Sequence, residues 1–334
     1  MKHGGDLLEA AARFGGQPED WLDLSTGIAP QPYPFTHPDQ NSWARLPQAA
    51  RVEKLKTTAR VAYGAPAEAA ILPAPGTQCL IQSLPLLFPE AKVAILGPTY
   101  TEHAINWHRT AHSVDHATTL IELENATIAV IVNPNNPDGR VVPQTAIREL
   151  ADRIDARGGL VVVDEAFADV DPDASVIEDC GHSGLLVLRS FGKFFGLAGV
   201  RLGFAIGATT LINRLDEHIG PWAVPGPTIE IGIEAIGDAA WIERSRLDYA
   251  AAAAGLDRVL KAAGHEVVGG TSLFRLTRHP HARDVHEALA QRQILTRVFL
   301  DEPNLIRYGL PPHKDFERFA EALSTMAATA GRAQ

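Results

Sequence analysis

The sequence predicts an α/β fold, with a large domain built on a mostly parallel sheet and a small α+β domain at the C-terminus. From about Gly76 onward, short β-branched runs alternate with longer amphipathic stretches, the pattern of parallel strands joined by crossover helices. A proline-rich segment, residues 221–227, interrupts this pattern. We therefore expect an N-terminal arm over residues 1–40 that contributes to the small domain and the functional site, a large domain over 41–225, and a small domain over 226–334.

The predicted strands of the large domain are short and apolar, as buried strands of a parallel sheet are. They are Val93 to Leu96, Ile128 to Val132, Leu160 to Asp164, Leu185 to Ser190 and Leu202 to Ile206. Pro143 can occupy the first turn of a helix between the second and third strands, and Gly158 can end it. The sequence therefore predicts a β-α-β crossover there.

The small domain is predicted from a long alanine-rich helix and the mixture of elements behind it. The helix covers Ala239 to Ala263, where alanine favours helix. The later strands are predicted at Glu266 to Val268, Leu273 to Leu276 and Ile294 to Val298, and the later helices at Ala282 to Gln291 and Lys314 to Ala327.

Composition excludes several classes of protein. The 334 residues carry a net charge of -10, so a broad cationic surface for nucleic acid or anionic lipid is not expected. The two cysteines, Cys79 and Cys180, belong to no disulfide or zinc-binding pattern, and we expect no metal. The N-terminus has no apolar signal-peptide core, and no apolar run reaches the roughly 18 residues that span a bilayer. We expect a cytoplasmic enzyme.

The segment 190–203 carries the strongest functional pattern in the sequence. It places Lys193 after a predicted buried strand, with Phe194 and Phe195 directly behind it. A lysine that acts as a nucleophile needs a partly buried site, because desolvation lowers the pKa of its amine. The alternative interpretation is a surface lysine beside core aromatic residues.

Other candidate residues follow the predicted strands, at the edge where an open α/β sheet binds its ligand. Asp164 ends a strand, and a buried carboxylate is costly without a charged partner, although it can also cap a helix. The segment 133–139 is rich in asparagine, proline and glycine, which is also the composition of an ordinary turn. The segment 75–78 is a glycine turn before an apolar helical stretch, and such a turn presents backbone N–H groups to a phosphate.

Taken in order, these residues resemble the fold type I pyridoxal 5'-phosphate (PLP) enzymes, the aspartate aminotransferase superfamily, over nearly the whole chain. The resemblance implies that Lys193 binds PLP as a Schiff base and that Asp164 pairs with the pyridine nitrogen, which keeps the ring an electron sink. It also implies a homodimer. The other cofactor contacts that it implies are Gly76, Thr77 and Gln78 in the phosphate loop, Tyr100 stacked on the ring, Asn136 at O3′, and Ser190 and Arg201 on the phosphate.

A narrower resemblance rests mainly on the N-terminal part of the chain. The segments 3–5, 22–30 and 43–47 are similar to those of the threonine-phosphate decarboxylases of cobalamin biosynthesis, particularly the form of aerobic-pathway bacteria. This resemblance implies a phosphorylated amino acid as substrate: O-phospho-L-threonine would lose CO2 to give 1-amino-2-propanol phosphate. The candidate substrate contacts are His3, Gly4, Gly27 and Arg307, of which Arg307 can hold a carboxylate or a phosphate.

Three positions depart from common family patterns. Phe167 stands where many aminotransferases have a tyrosine that hydrogen-bonds O3′. Leu46 stands where relatives often have a tyrosine that contacts phosphate across the dimer, and Ala29 where they often have asparagine. The second interpretation is an aminotransferase of the histidinol-phosphate or amino-acid type, which the generic PLP motifs support and which Phe167 and the N-terminal segment weaken. A non-catalytic scaffold with the same fold is the third, and the Lys193 motif argues against it.

Overall fold

The computed structural model describes residues 4–181 and 184–330 of the chain. The chain divides into two compact units, which we describe separately. The larger unit is Tyr33–Ile242, and the smaller combines Met1–Pro32 with Glu243–Gln334. The division falls at residue 242 rather than at the expected 225, because the helix Gly226–Gly237 packs on the helix Ala49–Tyr63 of the larger unit.

The secondary structure alternates between strands and helices through most of the chain. The strands are β1 (Leu22–Asp23), β2 (Ala70–Ala74), β3 (Lys92–Leu96), β4 (Ser113–Ala117), β5 (Ile128–Val132), β6 (Leu160–Asp164), β7 (Leu185–Ser190), β8 (Gly203–Gly207), β9 (Glu266–Thr271), β10 (Phe274–Arg278), β11 (Ile294–Leu295), β12 (Arg297–Val298) and β13 (Leu305–Gly309). The helices are α1 (Leu7–Phe14), α2 (Gln40–Ala44), α3 (Ala49–Tyr63), α4 (Thr77–Ser83), α5 (Glu102–Arg109), α6 (Leu120–Leu123), α7 (Gln144–Asp155), α8 (Phe191–Phe194), α9 (Thr209–Ile219), α10 (Gly226–Gly237), α11 (Ala239–Ala262), α12 (Ala282–Ala290) and α13 (Phe316–Ala330).

The larger unit is built on a seven-stranded sheet in the order β2-β8-β7-β6-β5-β3-β4. Only β8 runs against its neighbours; the other strands share one direction. Every residue of β5, β6 and β7 is buried, as in a parallel sheet covered by helices on both faces. The predicted α/β class with a mostly parallel sheet is confirmed.

Two strands of this sheet were not among the predicted ones. The edge strand β4 is mostly polar and exposed, so it has no apolar run. The other edge strand, β2, contains Pro73. A proline in a sequence indicates the end of a strand, but an edge strand tolerates it.

The smaller unit has an antiparallel sheet in the order β12-β13-β10-β9. The N-terminal strand β1 pairs in parallel with β11, with Leu22 opposite Ile294, so residues near both ends of the chain build one unit. The single strand expected from Ile294 to Val298 is divided at Thr296 into β11 and β12, which join different sheets. Across residues 4–181 and 184–330, no helix has the length and apolar character needed to cross a membrane.

Candidate active site

A pocket of about 150 Å³ in the larger unit is lined by the residues that follow β5, β6 and β7. These strands end at one edge of the parallel sheet, where such folds bind ligands. The pocket brings together every predicted catalytic and cofactor-binding residue of this unit: Gly76, Thr77, Gln78, Tyr100, Asn136, Asp164, Ser190, Lys193 and Arg201. Their assigned roles remain predictions.

One wall of the pocket suits an anion. Gly76 has φ +79°, and a Cβ atom there would lie 2.6 Å from Arg201 Nη2, so only glycine allows the guanidinium to approach so closely. Gly203 likewise lets β8 approach the backbone N of Thr77, because a Cβ atom at Gly203 would lie 2.6 Å from that nitrogen. The wall therefore combines the Arg201 guanidinium with the backbone at the start of α4 and the neighbouring Ser190.

Asp164 is held in place by a histidine that the sequence did not single out. The carboxylate is 3% exposed, and its Oδ2 lies 2.9 Å from Nε2 of His103, which is 2% exposed. The other oxygen, Oδ1, accepts a hydrogen bond from the backbone N–H of Ala166 at 3.1 Å. Together these two contacts fix the plane of the carboxylate. The spacing Tyr100-x-x-His103 could have indicated this residue, since side chains three apart in a helical turn lie on one side.

Gln78 links Tyr100 to a buried glutamate, Glu102. The Tyr100 hydroxyl donates to Gln78 Oε1 at 3.3 Å, and Gln78 Nε2 donates to Glu102 Oε2 at 2.8 Å. Burial, together with the charges of Glu102 and Asp164, raises the pKa of Tyr100 to about 12. The phenol is therefore neutral at physiological pH, and its ring is held by a chain of hydrogen bonds.

The asparagines of the loop 133–139 have different roles: two hold the loop in place, and one lines the pocket. Asn133 donates to the carbonyl oxygen of Ala174 at 2.9 Å, and Asn135 donates to the carbonyl oxygen of Pro98 at 2.9 Å. Both are fully or nearly fully buried, whereas Asn136 lines the pocket. Of these three asparagines, the structure places Asn136 in the pocket, and its contact with the cofactor stays a prediction.

The predicted substrate residues fall in the smaller unit. Arg307, on β13, is 8% exposed and donates through Nη2 to the carbonyl oxygen of Ser25 at 2.9 Å. Gly5 N–H donates to Ser25 Oγ at 2.8 Å, and a Cβ atom at Gly4 would lie 2.6 Å from the Ser25 carbonyl oxygen. The structure therefore places Gly4 and Arg307 around one serine, with Gly27 two residues further along. His3 lies outside the described residues.

A second arginine lies next to Arg307 and was missed from the sequence. Arg297 on β12 is the direct cross-strand partner of Arg307. Burial, followed by the charge of Arg297, lowers the pKa of Arg307 to about 10, while Asp23 opposes the shift. Like charges directly opposite each other destabilise a sheet. The predicted strand over 294–298 contained Arg297, but the sequence could not show its register.

Comparisons with known proteins show the family of the chain. The family model for aminotransferase class I and II matches residues 37–323. A threonine-phosphate decarboxylase of Sinorhizobium sp is 43% identical over 329 residues, covering 97% of this chain and 98% of that protein. A threonine-phosphate decarboxylase of Pseudomonas aeruginosa is 40% identical over 314 residues, covering 93% of each chain.

Solved structures show the same fold at lower identity. The crystal structure of histidinol-phosphate aminotransferase from Sinorhizobium meliloti, in complex with pyridoxal-5'-phosphate, superposes with a TM-score of 0.80 at 19% identity. The match covers 98% of this chain and 95% of that chain. At this identity the likeness establishes the fold.

Proposed function

We propose that this chain uses PLP to decarboxylate O-phospho-L-threonine. The chain belongs to the aminotransferase class I and II family and, within it, to the threonine-phosphate decarboxylases. The products are 1-amino-2-propanol phosphate, a building block of cobalamin, and CO2. Identity of 40–43% along nearly the whole chain is the observation that carries this proposal. The pocket of the larger unit supports it, because the residues gathered there suit each part of PLP.

The pocket residues have different roles in binding PLP and in the reaction. Bound PLP supplies an electron sink for the bond that breaks at the substrate α-carbon. Lys193 would provide the amine that holds PLP and the proton that replaces the lost carboxylate. Asp164, fixed by His103, would provide the negative charge that pairs with the pyridine nitrogen. Arg201 and the backbone at Gly76 would bind the cofactor phosphate.

The direct test is an assay of the purified, PLP-loaded protein with O-phospho-L-threonine, with and without a keto acid. We expect CO2 release that does not require the keto acid. Free L-threonine should be a poor substrate, because a pocket built for phosphate leaves buried donors unpaired when the phosphate is missing. Amino transfer that depends on the keto acid, without CO2, would contradict the proposal and establish the aminotransferase instead.

The aminotransferase remains the second candidate because the matching family model is that of aminotransferases. One feature of the pocket argues against it. Phe167 lines the pocket where many aminotransferases have a tyrosine, so a phenol is missing at this position. The assay with and without keto acid separates the two candidates.

Arg307→Ala should weaken substrate binding far more than cofactor binding. Removing one hydrogen bond to a charged group costs about 1.5–3 kcal/mol, which corresponds to roughly 10- to 150-fold in the KM for phosphothreonine. Steady-state kinetics and a PLP titration of the same variant measure the two effects. Arg278→Ala is the matched control, since this exposed arginine on the neighbouring strand β10 pairs with Glu266. An unchanged KM in Arg307→Ala would remove this residue from the substrate site.

The proposal includes a homodimer. Trp43 on α2 is 70% exposed and Leu46, two residues beyond the helix, is 62% exposed, so two large apolar side chains lie on the surface close together in sequence. Leu46 also lines a pocket of about 550 Å³ with residues of α3 and α10. A second copy of the chain would cover this surface in an isologous dimer. A fully active monomer in sedimentation at assay concentration would contradict this part of the proposal.

A cytoplasmic location and the absence of nucleic-acid partners also belong to the proposal. The support for the location is the cysteine usage: Cys79 and Cys180 are both free. The net charge of -10 supports a small anionic substrate bound at a local cationic site rather than a polyanion bound over a broad surface.

A further inference from the structure

Three buried charges lie within two positions in sequence of residues that line the pocket. They are Glu165, Asp169 and Arg189, which we call the buried charge cluster. Arg189 Nη1 donates to Glu165 Oε2 at 2.9 Å, and Arg189 Nη2 donates to Asp169 Oδ1 at 2.5 Å. None of the three side chains is more than 6% exposed. One guanidinium therefore joins two carboxylates away from water.

The cluster connects the ends of two strands that supply pocket residues. Glu165 follows Asp164 at the end of β6, and Arg189 precedes Ser190 at the end of β7. The backbone N–H of Glu165 donates to the carbonyl oxygen of Leu188 at 2.8 Å, so strand pairing continues past Asp164. Because consecutive strand residues point to opposite faces, the ion pair holds the two strands together on the face opposite Asp164 and Ser190.

The same glutamate also closes the loop that follows β6. Its carboxylate accepts a hydrogen bond from Ser175 Oγ at 2.6 Å and from the backbone N–H of Val176 at 2.7 Å. The loop 165–176 therefore begins and ends at one side chain. This loop contains Phe167, which lines the pocket. Glu165 thus fixes a third part of the pocket wall.

The charges of the cluster are difficult to explain by stability alone. Burial raises the pKa of Glu165, and Arg189 opposes that shift. Burial also tends to lower the pKa of Arg189, but Asp169 and Glu165 more than compensate and raise it, so the guanidinium stays charged. Buried ion pairs are often no more stabilising than apolar side chains of the same volume, whereas their geometry is more specific.

We propose that the buried charge cluster is a positioning device for the cofactor pocket. It fixes Asp164, Ser190 and Phe167 relative to one another and thereby determines the affinity for PLP. The inference rests on the cofactor part of the proposed function and does not depend on the substrate. Its readout is the binding of PLP to the apoprotein.

The test compares two cluster variants with a control pair elsewhere. Arg189→Lys keeps the charge but loses the planar fork that bridges two carboxylates, and Glu165→Gln removes one of the charges. The control is Asp257→Asn, which breaks the partly buried pair of Asp257 with Arg275 at 2.7 Å in the smaller unit. We expect the Kd for PLP, measured by equilibrium dialysis, to rise at least tenfold in both cluster variants. Asp257→Asn should lower the Tm of the apoprotein and leave the Kd within twofold.

Other results of this experiment would contradict either the inference or the proposed cofactor. A Kd within twofold of the wild type in both cluster variants overturns the inference, and so does an equal rise in Asp257→Asn, which would indicate general destabilisation. If a cluster variant does not fold, Ser175→Ala decides by the same criterion, because it removes the hydroxyl that donates to Glu165 and accepts from the backbone N–H of Ile177, and it leaves the three charges in place. A wild-type protein that does not bind PLP would instead contradict the proposed cofactor.

Discussion

Lys193→Ala is expected to abolish the covalent attachment of PLP and to reduce decarboxylation by at least about 10³-fold, within the range of a positioned general acid–base. The side chain belongs to the short helix α8 and faces the same pocket as Asp164 and Arg201. Its removal leaves in place the groups that we propose bind the ring and the phosphate. The variant should therefore still bind PLP reversibly, with a fold and a Tm close to those of the wild type.

The measurement is borohydride reduction of the PLP-loaded protein followed by peptide mass spectrometry. The wild type should carry the cofactor mass on the peptide with Lys193, and Lys193→Ala should carry none. Lys92→Ala serves as the matched control, because Lys92 is half-exposed on β3 and pairs with Asp115. A reducible cofactor adduct that persists in Lys193→Ala would place the covalent link at another lysine.

The pocket of the larger unit was predicted from the ends of the apolar strands together with the resemblance to the PLP enzymes. The strands β5, β6 and β7 have continuous apolar sequences, so their ends are recognisable, and pocket residues follow directly behind them. Parallel strands bring these ends to one edge of the sheet. The resemblance to the PLP enzymes was still needed to assign residues as far apart in sequence as Gly76 and Arg201 to one site, because Gly76 follows β2, which was not predicted.

The partners of the pocket residues could not be predicted in this way. The contact between His103 and Asp164 joins residues 61 positions apart, and it depends on how α5 packs against the sheet. The pairing of Arg297 with Arg307 depends on the register of two strands. Neither packing nor register follows from the composition of a single segment. The sequence therefore identified the residues that line the pocket more readily than the residues that hold those side chains in position.

Asp164→Asn is the prediction that tests the chemistry of the pocket most directly. The asparagine has the same shape but no charge, so the protonated pyridine nitrogen of PLP would lose its ionic partner. We expect a loss of about 2–4 kcal/mol of transition-state stabilisation, as for other preorganised electrostatic contacts, or roughly 30- to 1000-fold in kcat. The contact with the backbone N–H of Ala166 can persist, because the amide oxygen also accepts a hydrogen bond.

Two further variants distinguish the loss of the Asp164 charge from a general destabilisation of the protein. Asp115→Asn makes the same substitution at a carboxylate on the edge strand β4 that pairs with Lys92, and it should leave kcat unchanged. His103→Phe keeps the charge of Asp164 but removes the imidazole that orients it, so its effect on kcat should be smaller than that of Asp164→Asn. If the charge opposite the ring drives the reaction, Asp164→Asn must lower kcat more than it weakens the binding of PLP. Near-normal turnover in Asp164→Asn would mean that the electron sink works without this carboxylate, and the proposed role of Asp164 would then be wrong.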